Sequence, residues 1–470
     1  MLARSFSIDD QRRFAETSGD PNPLHVDPVH ARRLLYGRAV VHGIHQVLWA
    51  LDEACAQFPA GAALIHIACR FTGPVGVDEP CRLTIEHTGD RLVCRIHAAQ
   101  GEATVIDARF GPVAAADKVD VHEGLPPMQQ PVVVARDAVA AAAGSLPLFL
   151  DGASFGRLFP RASARLPRSQ AAILLATTRL VGVHCPGLHS IFSELTLDFT
   201  GGGQSSSGGP GALGYRVVQY DSRMGLVRLR VDAPRTSGAI RAFFRPAPAT
   251  QPTATELRSH VEPSEFAGRR ALVVGGSRGL GALAAKLLAA GGADVVLTYF
   301  VGASDAQDVA AEAAQVGARV RTIRLDVRDA DDEVQAALAD LAPFTHLYYF
   351  ATAPIFVARR GHFNAVLFEH FCDIYVKGFV KLVRALLPFG LGVALYPSST
   401  AVTDAPIDMG EYAAAKAAGE AACRFLEKAH PGLTVFAPRL PRLPTDQTRS
   451  LLAVRDDDPV AYILAALRRG

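Results

Sequence analysis

Apolar and polar positions follow two different periods along the chain, and the change of period divides it into three blocks, 1–115, 130–246 and 268–470. In the first block a helical start and a turn-rich loop lead into Val40–Ala56 (VVHGIHQVLWALDEACA), where apolar residues recur at helical spacing. Residues 82–110 then hold RLTIEH, RLVCRIHA and ATVIDARF, which alternate with a period of two between short polar turns. One helix beside consecutive antiparallel strands predicts an α+β layer. The second block repeats this plan. After a helix ending near Leu180, SELTLDFTG (193–201) takes the place that HIACRFTG (66–73) has in the first block, so the two are read as a duplicated unit.

The third block changes character. An apolar strand, ALVV (271–274), runs through a glycine turn into the helix LGALAAKLLAAGG, and strands ADVVLTY, VRTIRLDV, HLYYFA and GVALYPSS follow with helices between them. Alternation of this kind predicts right-handed crossovers and a doubly wound parallel sheet. Segments 114–132 and 247–267, the latter containing QPTATE, are read as linkers, and GGGQSSSGGPG (201–211) as a loop.

Composition narrows the classes. A chain of 470 residues with 49% hydrophobic residues holds several cores, and a net charge of +2 leaves no surplus for neutralising phosphates, which argues against a nucleic-acid partner. No apolar run is long enough to predict a membrane span, and MLARSFSIDDQRRF has no signal-peptide core. The seven cysteines are scattered singly without a CxxC pair. This pattern predicts reduced thiols, no zinc site and a cytoplasmic location.

Two constellations carry chemistry. Asp20 and His25 stand five apart in a Gly/Pro/Asn loop, GDPNPLH, ahead of a helical segment. A carboxylate and an imidazole so placed can hold one water between two bases of different pKa, although Asp and Asn beside two prolines also describe an ordinary turn. The longer string FAETSGDPNPLHVDPVHARRLLYGRAVVHG, together with RFTGPV (70–75), resembles the MaoC-like (R)-specific enoyl-thioester hydratases of the hot-dog fold. That resemblance implies a dyad of Asp20 and His25, a bracing Asn22, and a Gly43 amide that forms an oxyanion hole at the start of the central helix. His42 and His45 are expected to be structural. The second block then looks like the partner half of a double hot dog, with RLVGVHCPGLHSIF (179–192) as its degenerate central helix. Arg157, Arg161, Arg165 and Arg168 in that half could clamp coenzyme A phosphates or an acidic carrier protein, or simply form a solvated surface.

In the third block Gly275-Gly276-Ser277-Arg278-Gly279-Leu280-Gly281 follows a strand and opens a helix, the context a pyrophosphate site needs. Tyr412 and Lys416 lie one helical turn apart, and Ser399 lies at the end of a strand before them. These parts resemble the short-chain dehydrogenase/reductases, most nearly the 3-oxoacyl-thioester reductases. The resemblance implies proton donation by Tyr412, a Lys416 that lowers the phenol's pKa and holds ribose, and a Ser399 bonded to the substrate oxygen. It also places Asp326 and Val327 beside adenine and Ala351 after the fourth strand. No Asp or Glu ends the strand at Tyr299, and Arg278 is free to meet a 2′-phosphate, so NADPH is expected over NADH. The sequence also departs from the family, with Tyr375 standing for the tetrad Asn and Arg439 following Pro438.

The expected architecture is an α+β double hot dog followed by an α/β Rossmann-like doubly wound parallel sheet. The expected function is bifunctional: NADPH-dependent 3-oxoacyl reduction and (R)-specific 3-hydroxyacyl dehydration or 2-enoyl hydration of acyl-CoA or acyl carrier protein thioesters. The resemblance extends to the peroxisomal multifunctional β-oxidation enzymes with the domain order reversed, and it allows a homodimer. The alternatives are a hydratase with a silent reductase-like domain and a non-enzymatic scaffold.

Overall fold

The computed structural model describes residues 2–58, 62–112, 119–199, 209–356, 361–449 and 457–469. Most of the loop expected at 201–211 and the start of the segment 114–132 lie outside them. Contacts divide the chain into an N-terminal unit, Met1–Ala247, and a C-terminal unit that begins at Pro248.

The N-terminal unit is built on one 10-stranded sheet. Its strands are β1 (Leu2–Ser5), β2 (Ala62–Phe71), β3 (Pro80–Thr88), β4 (Arg91–Ala98), β5 (Gly101–Pro112), β6 (Ala143–Pro147), β7 (Ser190–Asp198), β8 (Ala212–Asp221), β9 (Leu226–Ala233) and β10 (Thr236–Phe244). They lie in the order β1-β3-β4-β5-β2-β7-β10-β9-β8-β6, so the second half mirrors the first. The halves join along β2 and β7, antiparallel, with His66 opposite Asp198, Ala68 opposite Thr196 and Arg70 opposite Glu194. Duplication is thus visible as a two-fold arrangement of strands.

The longer helices among the described residues of this unit are three. α1 (Ile8–Ser18) opens with a capping box, in which Ser7 Oγ accepts from the Asp10 amide at 3.1 Å and the Asp10 carboxylate accepts from the Ser7 amide at 2.9 Å. It stops at Gly19, whose φ of 74° an L side chain rarely adopts. α2 (Gly43–Ala54) buries Ile44, Val47, Leu48 and Leu51, and α3 (Arg168–Arg179) buries Ile173, Leu174 and Leu175, all in one core. A helix that is apolar on most of its surface can only sit inside a layer, which is why both central helices are wrapped by the sheet.

Three expectations need correction. The central helix of the second half is not 179–192. It is α3 with a wider turn, Leu180–His184, and Ser190 already begins β7. The apolar run at 180–183 suggested a helix, but there it serves as a buried helix end. Segment 247–267 is not a linker throughout, because Thr253 and Glu256 form a capping box on Ala254–Leu257, and Leu257, Val261 and Phe266 enter the core of the C-terminal unit. The edge strand β1 was not foreseen. Its four residues are too few for a period to show.

The C-terminal unit holds a six-stranded parallel sheet with β11 (Arg270–Val274), β12 (Asp294–Tyr299), β13 (Val320–Arg324), β14 (His346–Tyr349), β15 (Val393–Leu395) and β16 (Thr434–Phe436), in the order β13-β12-β11-β14-β15-β16. The strand order reverses between β11 and β14, which opens a crevice at their carboxyl ends. α4 (Gly279–Ala290) follows β11, and α5 (Gly410–Ala429) carries Tyr412 and Lys416. The architecture is a hot-dog domain plus a Rossmann-like domain. No helix among the described residues is long and apolar enough to cross a membrane.

Candidate active sites

The loop after α1 turns at Gly19 and buries Asp20 and Asn22, both 1% exposed. Asn22 works as a strut. Its amide N–H donates to Asp20 Oδ1 at 3.2 Å, its Oδ1 accepts from the Leu24 amide at 3.1 Å, and its Nδ2 donates to the carbonyls of Gly182 at 2.9 Å and Leu188 at 3.2 Å. The Thr178 hydroxyl on α3 donates to Asp20 Oδ2 at 2.7 Å. His25 Nδ1 lies 2.7 Å from the Val40 carbonyl, which can only accept, so Nδ1 carries the proton and Nε2 presents its lone pair. One ligand atom each from Asp20, His25 and His42 lies within 4.8 Å of the others.

Burial reverses the ordinary order of basicity. It pushes Asp20 from 3.8 up to about 6, offset in part by the hydrogen bonds from Thr178 and Asn22 and by the charge of Arg179. It pushes His25 from 6.5 down to about 4, against the pull of the Val40 hydrogen bond. At neutral pH the carboxylate is therefore the stronger base of the two, and the imidazole is a neutral acceptor. Such a pair can orient a water through His25 Nε2 while Asp20 takes or returns a proton.

Gly43 opens α2, with His42 at its cap. The first amides of a helix have no intrahelical partner, and the helix dipole makes them a fit for a developing oxyanion. A Cβ at Gly43 would come 2.8 Å from the Phe71 ring, so a side chain there would displace that ring.

His42, expected to be structural, stacks on His25 with ring centroids 3.8 Å apart, and its Nε2 lies 3.0 Å from the Asp20 carbonyl. It belongs to the site. His45 is instead a core residue, stacked on Phe14 at 4.5 Å. The arginines of the second half are engaged: Arg161 pairs with Glu53 at 2.6 Å, Arg168 pairs with Glu123, and Arg157 donates to Ser154 at 2.8 Å. Thr178 and Gly182 were missed by sequence reading, as was Arg245, whose Nη2 donates to the Leu188 carbonyl at 2.5 Å, the oxygen that also accepts from Asn22.

In the C-terminal unit the glycine turn lies between β11 and α4. Gly275 has φ 73°, and a Cβ there would sit 2.8 Å from the Ala351 amide. A Cβ on Gly281 would come 2.2 Å from the Gly275 carbonyl, so only glycine lets helix and strand approach this closely. The Gly275 amide donates to the Thr298 hydroxyl at 3.2 Å, one residue before Tyr299. Ser277, Gly279 and Leu280 continue the turn into the N-terminus of α4. Arg278 is not free, because its Nη1 faces Asp446 Oδ2 at 3.5 Å. Asp326, beside buried Val327, is held by Arg328 at 2.6 and 2.9 Å.

Ser399 ends a short strand, and its hydroxyl accepts from the Ala401 amide at 3.2 Å. Burial raises the Tyr412 phenol above its ordinary 10, and a hydrogen bond from Ser399 opposes that rise. Lys416 is pushed down to about 7 by burial; its Nζ donates to the Pro397 carbonyl at 2.8 Å and lies 4.2 Å over the Tyr375 ring. Tyr375, which stands for the tetrad Asn, shares a hydrogen bond of 2.7 Å between its hydroxyl and Thr352 Oγ1. Arg439 grips Glu420 with two bonds of 2.8 Å, and Glu420 accepts from Ser398 at 2.6 Å, which fixes the strand carrying Ser399.

Comparison with known proteins matches residues 2–108 to the MaoC like domain family and residues 269–436 to the short chain dehydrogenase family. The chain carries a MaoC-like domain and a short chain dehydrogenase domain. Both are enzymatic families. The chain is 36% identical over 76 residues, 16% of its length and 45% of that protein's, to the mitochondrial 3-hydroxyacyl-(acyl-carrier-protein) dehydratase of Arabidopsis thaliana. The chain is also 28% identical over 104 residues, 22% of its length and 17% of that protein's, to the peroxisomal multifunctional enzyme type 2 of Drosophila melanogaster. Among solved structures, a short chain dehydrogenase from Burkholderia cenocepacia in complex with NADP is 30% identical, covering 39% of this chain and 78% of that one at a TM-score of 0.36. The chain thus spans less than half the length of the curated relatives named here.

Proposed function

We propose that the chain is a bifunctional acyl-thioester enzyme. Its MaoC-like domain adds water across a 2-enoyl thioester, or removes it from the (R)-3-hydroxyacyl thioester, and its short chain dehydrogenase domain reduces a 3-oxoacyl thioester with NADPH. The observation that carries the first half is the inverted Asp20/His25 pair beside the Gly43 amide. In hydration, a water held by His25 Nε2 gives its oxygen to C3. Asp20 takes the proton released and delivers one to C2, while the Gly43 amide stabilises the enolate oxygen. One water is consumed and the dyad returns to its starting state.

The residues of the second site fit a dinucleotide: the tightly packed glycine turn at Gly275–Gly281 leads into the N-terminus of α4, whose first amides have no intrahelical partner and suit a pyrophosphate. When bound, the nicotinamide supplies hydride. Tyr412 gives the carbonyl oxygen its proton, Ser399 orients that oxygen, and Lys416 steadies the phenolate. The competing reading, a reductase-like domain without turnover, draws on the tyrosine ring that Lys416 faces in place of an amide. Assaying both half-reactions on short coenzyme A and carrier-protein thioesters by mass spectrometry separates the two. Hydration without NADPH-dependent reduction of any 3-oxoacyl thioester would leave only the hydratase.

A further inference from the structure

We infer that Arg245, beside the Asp20 loop of the MaoC-like domain, is a recognition site for a carboxylate carried on the acyl chain of the thioester. Arg245 is 1% exposed, yet among the described residues its Nε and Nη1 have no hydrogen-bond partner. Its one side-chain hydrogen bond among the described residues, from Nη2 to the Leu188 carbonyl at 2.5 Å, places it on the oxygen that also accepts from Asn22 at 3.2 Å. The guanidinium is therefore built into the wall that holds the Asp20 loop.

Among the described residues, the groups that face it bring no compensating charge. Its field acts on His25, His189 and Tyr36, and burial keeps both imidazoles below, and the phenol above, their ordinary values, so all three are neutral at pH 7. Arg245 itself is lowered by burial only to about 10 and stays charged. A buried cation with open donors and no counter-ion costs the fold stability, and an arriving anion recovers that cost. Position selects the anion. A carrier's phosphates remain hydrated and suit exposed arginines, whereas a group beside Asn22 lies near the carbons that react.

The inference rests on the hydratase reading, so the test has two readouts. Hydration of the trans-2-butenoyl thioester is compared with that of its 4-carboxylate analogue, each as the coenzyme A and the phosphate-free N-acetylcysteamine ester. Binding of the unreactive butanoyl and butanedioyl monothioesters is measured by calorimetry on the full chain. We expect the carboxylated ligands to be favoured about 10- to 100-fold on both carriers. R245Q should bring that ratio near one, and R245K should restore part of it. A ratio that survives in R245Q, or one that appears only with coenzyme A, would overturn the proposal. Preference in calorimetry without turnover of any enoyl thioester would refute the hydratase reading and leave the carboxylate site standing.

Discussion

Thr178 donates a hydrogen bond to Asp20 across 158 positions of sequence, at 2.7 Å, from the central helix of one half to the loop of the other. The second half thus opposes, through this hydroxyl, the rise that burial imposes on Asp20. Thr178→Val keeps the shape and removes the donor. A bond to a charged group is worth about 1.5–3 kcal/mol, or roughly one to two pH units. The acidic limb of the hydration pH–rate profile should therefore move upward, while NADPH-dependent reduction is unchanged. An unmoved limb would show that this hydroxyl does not tune Asp20.

Gly182 belongs to the same contact. A Cβ there would lie 2.2 Å from Asp20 Oδ1, closer than atoms can approach. Gly182→Ala should displace the carboxylate and lower hydration by about 10²-fold in steady-state assays. The reductase rate again serves as the internal control.

The sign of the Asp20 shift gives an opposed pair of trends. The folded protein holds this proton up to about 6 against 3.8 for the free side chain, so stability from this group declines as pH rises between those values. The active carboxylate appears at the upper end of that interval, so hydration should rise through pH 6 as the fall in melting temperature levels off. Asp20→Asn should abolish hydration and raise stability at pH 7 by about 1–2 kcal/mol, measured by calorimetric melting. Loss of stability in that variant would contradict the burial argument.

Tyr412→Phe removes the proton donor while keeping the ring, and reduction should drop about 10²–10⁴-fold with NADPH affinity held. Lys416 loses its proton near pH 7 in the free enzyme, so NADPH binding by fluorescence titration should weaken as pH climbs from 6 to 9. Affinity independent of pH over that range would place Lys416 away from the cofactor.

Arg278→Ala should erode the preference for NADPH over NADH about 10- to 100-fold. The pair with Asp446 at 3.5 Å must yield part of its contact to a 2′-phosphate, so Asp446→Asn should strengthen the preference. Equal use of both dinucleotides by the unaltered enzyme would remove the basis for this expectation.

The fold was legible wherever pattern and local chemistry agree. The period-two strands, the glycine turn before α4 and the Tyr412–Lys416 spacing all act over a few residues, and each was read from sequence. The GDPNPLH loop marked Asp20 and His25 as a candidate pair but not their environment. Thr178, Gly182 and Arg245 act on it from the second half, and no local pattern marks a threonine, glycine or arginine as the neighbour of a distant aspartate. His42 was underestimated for a related reason: a helix-capping position on an apolar face looks structural until the loop folds over it. The misplaced helix at 179–192 shows the limit of periodicity, since an apolar run at the end of a helix and one inside it read alike.

The seam where β2 meets β7 has a consequence for how this molecule can change. In an assembly of two identical chains, every substitution is imposed at both ends of the sheet, and a gain at one pocket is carried into its twin. Here the axis passes between Ala68 and Thr196 of a single chain, so each half answers to its own selection. One wall can supply the acid and base while the other specialises in holding them and in choosing what they meet. Dilution cannot part the two, because their association is intramolecular. Chemical asymmetry has been installed on a nearly symmetric frame.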